Sequence, residues 1–277
     1  VANGSNNTPT ARPIERWKGK WALVTGASAG IGWALAEQLA AGGANLVLTA
    51  RRIDRLQKLA ADLTSAHGVR TEAFAADLTR PEAPDAIRAF TEGKRLHIEL
   101  LINNAGFGVY GYTHEIDESR LLDMVQVNCS AVVRLTRIYL PAMVQRRGGD
   151  ILIVASTAAF QPVPFIAAYA ATKAFDLIFA EGLAEEVRGF GVRVCALCPG
   201  STNTEFQQVA RQPDRAFRYA ETAAKVARVG LEGLALGKSS VISGGRNRWM
   251  VFGERFAPRS FVARMAAKVM GPESAKR

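Results

Sequence analysis

Seven short apolar runs recur along the chain, and longer stretches with helical spacing lie between them. The runs are WALVTG (21–26), NLVLTA (45–50), TEAFAAD (71–77), LLINNAG (100–106), DILIVAS (150–156), VRVCALCPG (192–200) and SSVISGG (239–245). They show little alternation of polar and apolar positions, which predicts strands buried on both faces. After the first run, Ile31, Leu35 and Leu39 share one helix face ahead of the stop Gly42-Gly43. Segments 54–68, 117–149 and 165–191 follow the same rule, and a further helix is expected over 221–236. Strands alternating with helices predict an α/β fold: one doubly wound domain, a seven-stranded parallel sheet with helices on both faces and right-handed crossovers. The expected boundaries are a loose polar arm over 1–16, the folded domain over 17–245 and an extension over 246–277. There is no internal repeat.

Composition changes this picture little. The 277 residues are 48% apolar and 22% charged, suited to one sizeable core. Net charge is +10, but residues 1–20 carry +3 and residues 246–277 carry +6, leaving the body nearly neutral. A nucleic-acid surface would lie on the folded body, so no nucleic-acid partner is expected. Cys195 and Cys198 have CxxC spacing but fall within a strand, where residues three apart point to opposite faces. They read as small core residues, and no metal site is expected. No apolar run is long enough for a membrane span and no stretch has signal-peptide order. With no disulfide framework, a cytoplasmic protein is expected.

Chemistry enters at the ends of the runs. Thr25-Gly26-Ala27-Ser28-Ala29-Gly30-Ile31-Gly32 follows the first strand and opens the first helix. A helix start offers unpaired N–H groups and a positive dipole end, where a diphosphate sits if no side chain blocks the backbone. Gly26 permits the tight turn, Gly30 the close approach and Gly32 close helix–strand packing. Such a turn in this setting marks a Rossmann-type dinucleotide site. After the second strand come Arg51 and Arg52, where an acid would hold a ribose 2′-hydroxyl in an NAD site. A guanidinium pair there suits a 2′-phosphate, so NADP(H) is expected; the bland alternative is two solvated arginines at a helix start. Asp77-Leu78 and Asn103-Asn104-Ala105-Gly106 end the next two strands at the same crevice. Asp77 either accepts from an adenine amino group or caps the following turn.

Tyr169 and Lys173 stand at i and i+4 of a helical stretch, so they are neighbours on one face. A nearby ammonium favours the phenolate, so a lowered tyrosine pKa and acid/base work are expected. Ser156 ends the fifth run at the crevice, where its hydroxyl can hold the same oxygen. Together TGASAGIG, NNAG, Asn128, Ser156, YAATK (169–173) and PGSTNTEF (199–206) resemble the short-chain dehydrogenase/reductase family over roughly 17–245. The resemblance implies Tyr169 as acid/base, Lys173 as its partner and a ribose contact, and Ser156 as orienter of the substrate oxygen. It implies Asn128 as holder of a relay water. Ser28, Ala29, Ile31, Arg51, Leu78, Asn104, Ala105 and Gly106 are implied coenzyme contacts, as are Pro199, Gly200 and Thr202 at the nicotinamide, with Thr204 an alternative to Thr202. Pairing into a homodimer or homotetramer through the helices at 117–146 and 166–189 is also implied.

The substrate side is less defined. Phe107, Val109, Tyr110, Thr157, Phe160, Val163, Phe165 and Phe206 are candidate walls, pointing to an apolar ketone or alcohol. Segment 201–220 reads as a lid loop. In the extension, Pro258 starts a helix whose Phe261, Val262, Met265, Ala266 and Val269 form one face. That basic amphipathic helix either packs on its own domain or a neighbouring subunit, the favoured reading, or lies on a membrane surface. The expected function is an NADP(H)-dependent carbonyl reductase. The rivals are a non-catalytic NADP(H)-binding regulator on the same fold, disfavoured by the intact Asn128/Ser156/Tyr169/Lys173 set, and a nucleotide-sugar epimerase, disfavoured by the glycine spacing.

Overall fold

The computed structural model describes residues 13–210, 217 and 219–271. Its strands are β1 (Trp21–Thr25), β2 (Asn45–Ala50), β3 (Thr71–Ala75), β4 (Ile98–Asn103), β5 (Gly149–Val154), β6 (Val192–Cys198), β7 (Thr202–Asn203), β8 (Glu221–Thr222) and β9 (Ser240–Ile242). Its helices are α1 (Gly30–Ala41), α2 (Ile53–His67), α3 (Ala83–Gly93), α4 (Glu118–Val125), α5 (Ala131–Gln145), α6 (Ala167–Val187), α7 (Phe206–Ala210), α8 (Ala223–Ala235), α9 (Gly245–Glu254) and α10 (Arg259–Met270). Seven strands form one parallel sheet in the order β3-β2-β1-β4-β5-β6-β9. All seven expected strands exist, several ending earlier than their apolar runs because the run's last residues turn into the crevice.

Strand residues divide between two cores. Ala22, Val24, Leu152 and Cys195 pack with α1, α2 and α8 on one face. Leu23, Ile151, Ile153 and Cys198 pack with α3, α5 and α6 on the other. The CxxC pair is therefore split across the sheet, and burial pushes both thiols up to about 12. Helix ends follow local chemistry: Asp117 caps α4 by accepting from Ser119 and Arg120 backbone N–H groups, and left-handed Gly68 closes α2.

Four features depart from the sequence expectations. Residues 13–16, assigned to a loose arm, form a 3₁₀ turn that brings Trp17 into the core. The expected helix over 117–146 is broken by a π-helical turn, Gln126–Ser130, containing Asn128. β7 and β8 pair with each other, and α7 shortens the presumed loop; two-residue strands leave no periodic signal. Beyond β9 an unexpected helix, α9, precedes the expected one after Pro258, α10, and both lie over the carboxyl ends of the strands. Residues 1–12 of the arm and 272–277 of the extension lie outside the described residues.

At the opposite end of the sheet Asp150 gathers three partners. It accepts from the Trp17 indole at 2.7 Å and the Arg193 guanidinium at 2.7 Å, with Arg16 at 3.5 Å. Removing the carboxylate leaves a part-buried guanidinium without its counter-charge and strands a buried indole N–H. Asp150→Ala is expected to lower the unfolding free energy by about 3–5 kcal/mol, the penalty for breaking a buried ion pair. Equilibrium denaturation checks it; a loss within error of zero would remove this cluster as the tie between the first turn and the sheet.

Candidate active site

Neighbouring crossovers diverge between β1 and β4, opening a crevice at their carboxyl ends. Thr25 locks this point: its Oγ1 donates to the Ile102 carbonyl and accepts from the N–H groups of Asn104 (2.9 Å) and Ala105 (3.0 Å). Asn104 Nδ2 donates to the Thr25 carbonyl at 2.8 Å. Thr25 stands in the quoted motif but was not an expected site residue; a threonine at a strand end carries no signal by itself.

Gly26 and Gly30 adopt φ of +67° and +59°, which the turn requires. The start of α1 has no side-chain cap, so its N–H groups stay open to an anion. A Cβ on Gly30 would press on Thr204 at 3.0 Å. Gly32 has the expected packing role. It lies outside the cavity lining, and a Cβ there would collide with the Gly26 carbonyl and the Asn104 amide. The missing side chain lets the turn close against the start of α1.

A single cavity of about 760 Å³ runs from this turn to α6. Gly26, Ser28, Ala29, Gly30 and Ile31 line one end with Arg51, Arg52, Asp77 and Leu78. Asn104, Ala105, Gly106, Pro199, Gly200 and Thr202 line the middle, and Ser156, Tyr169 and Lys173 the far end. The donor set and the glycine cradle fit a dinucleotide.

The two arginines separate. Arg52 reaches Ser28 Oγ at 3.2 Å and Glu205 at 2.8 Å, and Arg55 joins the same carboxylate at 2.5 Å. Arg55 and Arg52 hold the Glu205 carboxyl below its ordinary range. Arg51 is exposed at the cavity edge with no ion pair to another described residue. Asp77 accepts from the Thr79 N–H at 3.1 Å, the capping role, while also facing the cavity. Thr202 donates to the Gly200 carbonyl, whereas Thr204 accepts from the Phe206 N–H; both threonines line the cavity.

At the far end Ser156 caps a 3₁₀ turn by accepting from Ala158 N–H at 3.1 Å. The buried Lys173 ammonium donates to the Val154 carbonyl at 2.8 Å and to Asp176 at 2.9 Å. Asp176 is almost wholly buried, and its other oxygen has no partner among the described residues. Its i+3 spacing from Lys173 was visible in the sequence; that both residues face inward was not. Asn128 is fully buried outside the cavity lining. Its amide bonds both backbone groups of Phe107 and donates to Thr172 Oγ1 at 2.9 Å. A Cβ on Gly106 would lie 3.1 Å from Asn128 Oδ1 and 3.4 Å from Lys173 Nζ, so this glycine keeps the two groups adjacent. A π turn at this point matches their use at functional sites.

The expected lowering of the Tyr169 pKa is not what the surroundings produce. Burial pushes the phenol up; the Lys173 ammonium and a hydrogen bond with Ser156 pull it down; Asp176 pushes it up again. The net direction is upward because burial acts on an anion and Asp176 offsets the cation. Asp176 is itself held up by burial, against the pull of Lys173.

Of the expected walls, Phe107, Thr157, Val163 and Phe206 line the cavity. Val109, Tyr110 and Phe165 pack behind it, and Phe160 joins the second core. The Phe206 ring lies 5.4 Å from the Tyr169 ring. The roof comes from the extension: Met250 and Ala257, then Phe261, Val262, Met265 and Ala266 of α10. Tyr110 fastens that roof by donating to the Met270 carbonyl at 2.6 Å. Glu254 also lines it, with a carboxyl pushed up by burial and Oε2 unpaired among the described residues.

A family model described as short chain dehydrogenase matches residues 20–215. The very-long-chain 3-oxoacyl-CoA reductase of Bos taurus is 35% identical over 199 residues, covering 70% of this chain and 63% of that protein. The match thus spans less than two thirds of this relative. A short-chain dehydrogenase from Sphingobium yanoikuyae, solved in complex with NADPH, superposes with a TM-score of 0.78 at 32% identity, covering 86% of this chain and 93% of the other. A 7beta-hydroxysteroid dehydrogenase gives a TM-score of 0.83 at 27% identity, covering 92% and 99%.

Asp176 gives the site a testable pH signature. A tyrosine acting as an acid works only while protonated, so the alkaline limb of carbonyl reduction follows its pKa. Removing the Asp176 charge removes an upward push, so Asp176→Asn is expected to move that limb to lower pH by about one unit, the scale of a close charge. A pH profile of kcat/KM checks it; an unmoved limb would mean the carboxylate does not influence the phenol.

Proposed function

This chain belongs to the short-chain dehydrogenase family, and we propose on that footing that it is an NADP(H)-dependent oxidoreductase. It moves a hydride between the nicotinamide and the carbon of an apolar ketone, aldehyde or secondary alcohol. One observation carries the reading: the open helix start and Arg51 share a single cavity with Ser156 and Tyr169, with Lys173 beneath the phenol. The bound coenzyme supplies or accepts the hydride.

The chain's own groups do the rest. The α1 N-terminus receives the diphosphate, and Arg51 takes the 2′-phosphate because Glu205 already engages Arg52. Ser156 holds the substrate oxygen. Tyr169 gives that oxygen a proton in reduction and takes one in oxidation. Lys173 spends two of its three N–H bonds on Val154 and Asp176, leaving one for a ribose hydroxyl or a proton relay. Phe206 and the α10 side chains give the cavity an apolar cover. The walls favour an apolar body. Exposed Leu122, Phe175 and Ile178 on α4 and α6 support pairing with a second copy through these helices.

Tyr169→Phe is expected to cut turnover about 10²–10⁴-fold, the usual worth of a positioned acid, while NADPH still binds. Stopped-flow reduction and NADPH fluorescence titration check the two halves; undiminished turnover would remove the acid/base assignment. Arg51→Asp is expected to weaken NADPH binding roughly 10–100-fold, the loss of a charge-assisted hydrogen bond, with NADH little affected. An unchanged NADPH-to-NADH ratio would remove Arg51 as the 2′-phosphate ligand.

A further inference from the structure

The segment that roofs the cavity is graded around both of its helices. At 100° per residue, one side of α9 and its following turn carries the cavity-lining Met250, Gly253 and Ala257. The next side carries Trp249, Phe252 and Phe256, which are 76%, 52% and 77% exposed, and the flank beyond carries Arg248 and Arg255. The three rings contact one another edge to face, at 6.1 and 5.2 Å, outside the cavity. α10 repeats the order. Val262 and Ala266 point inward, half-exposed Phe261 and Met265 form the rim, and Arg264 and Lys268 lie on the outer side. Six Lys/Arg and the single acid Glu254 fall within 246–271, whereas the body of the chain is near neutral.

We propose that this α9–α10 face docks on an anionic lipid surface, so that the cavity mouth meets the bilayer interface. Exposed tryptophan and phenylalanine bordered by arginine suit that boundary, where rings enter the headgroup region and cations meet lipid phosphate. The charge argues against a second copy, because a two-fold contact would press these cations against their own duplicates. No described helix is long and apolar enough to cross a membrane, so the contact is peripheral. Delivery of an apolar carbonyl compound from the lipid into the cavity rests on the oxidoreductase reading; the docking itself does not.

The test uses the whole chain, without coenzyme or substrate, and vesicles of phosphatidylcholine alone or with phosphatidylglycerol. Co-sedimentation is expected to show at least about tenfold tighter binding to the anionic vesicles, weakening when salt shortens the screening length. Emission is expected to shift to the blue on binding, and the shift is expected to vanish in Trp249→Phe. Phe252→Ser/Phe256→Ser and Arg248→Glu/Arg255→Glu change only exposed side chains, and each is expected to reduce binding about tenfold or more. Absence of binding, equal binding to neutral vesicles, or full binding by both variants would overturn the proposal. A concentration-dependent dimer abolished by the phenylalanine variant would overturn it too, assigning the face to a second copy. Because no turnover is measured, failure of the docking and failure of the enzyme reading are told apart.

Discussion

A buried ammonium is costly unless it is paired, and Lys173 is paired twice, with the Val154 carbonyl and the Asp176 carboxylate. The first bond ties α6 to the end of β5; the second lies within the helix. The first sets which face of α6 turns to the sheet, and the second compensates the ammonium's charge. Tyr169, one turn earlier, is then committed to the crevice, facing Ser156 from the neighbouring strand end. Asn128 braces the same region from the π turn by holding Phe107 and Thr172. The corner proposed to react is therefore positioned largely by a backbone carbonyl and buried polar side chains.

The two ends of the sheet divide stability from chemistry. At the amino ends, Asp150, Trp17 and Arg193 satisfy one another. At the carboxyl ends, donors are left open: the uncapped start of α1, the third Lys173 proton and Arg51. Glu254 and Asp176 each keep a buried oxygen without a protein partner among the described residues. Unsatisfied groups gathered on one side of a well-packed sheet are what a binding site looks like before its ligand is considered.

Much of this was legible in the residues. Unalternating apolar runs gave away strands buried on both faces, and the split of Cys195 and Cys198 followed from strand geometry alone. The glycine turn, Ser156, Tyr169 and Lys173 were legible because strand ends and helix spacing place them by local rules. What escaped depended on long-range packing. Asp176 reads as an ordinary polar helix residue until α6 is docked with that face inward. The sign of the Tyr169 shift escaped because a contact one turn away is visible in sequence and burial is not. The apolar face of α10 was legible from its spacing, but its place over the substrate cavity was set by the turn after β9 and by the Tyr110–Met270 bond across 160 residues.

The same packing joins the two halves of the cavity. Glu205 lies directly after Thr204, whose side chain rests against Gly30, and directly before Phe206, which rests against Tyr169. Glu205 itself grips Arg52 and Arg55 beside the proposed 2′-phosphate position. Three consecutive residues thus touch the glycine turn, the arginine cluster and Tyr169. Segment 204–206 therefore borders both the coenzyme end and the substrate end of one cavity.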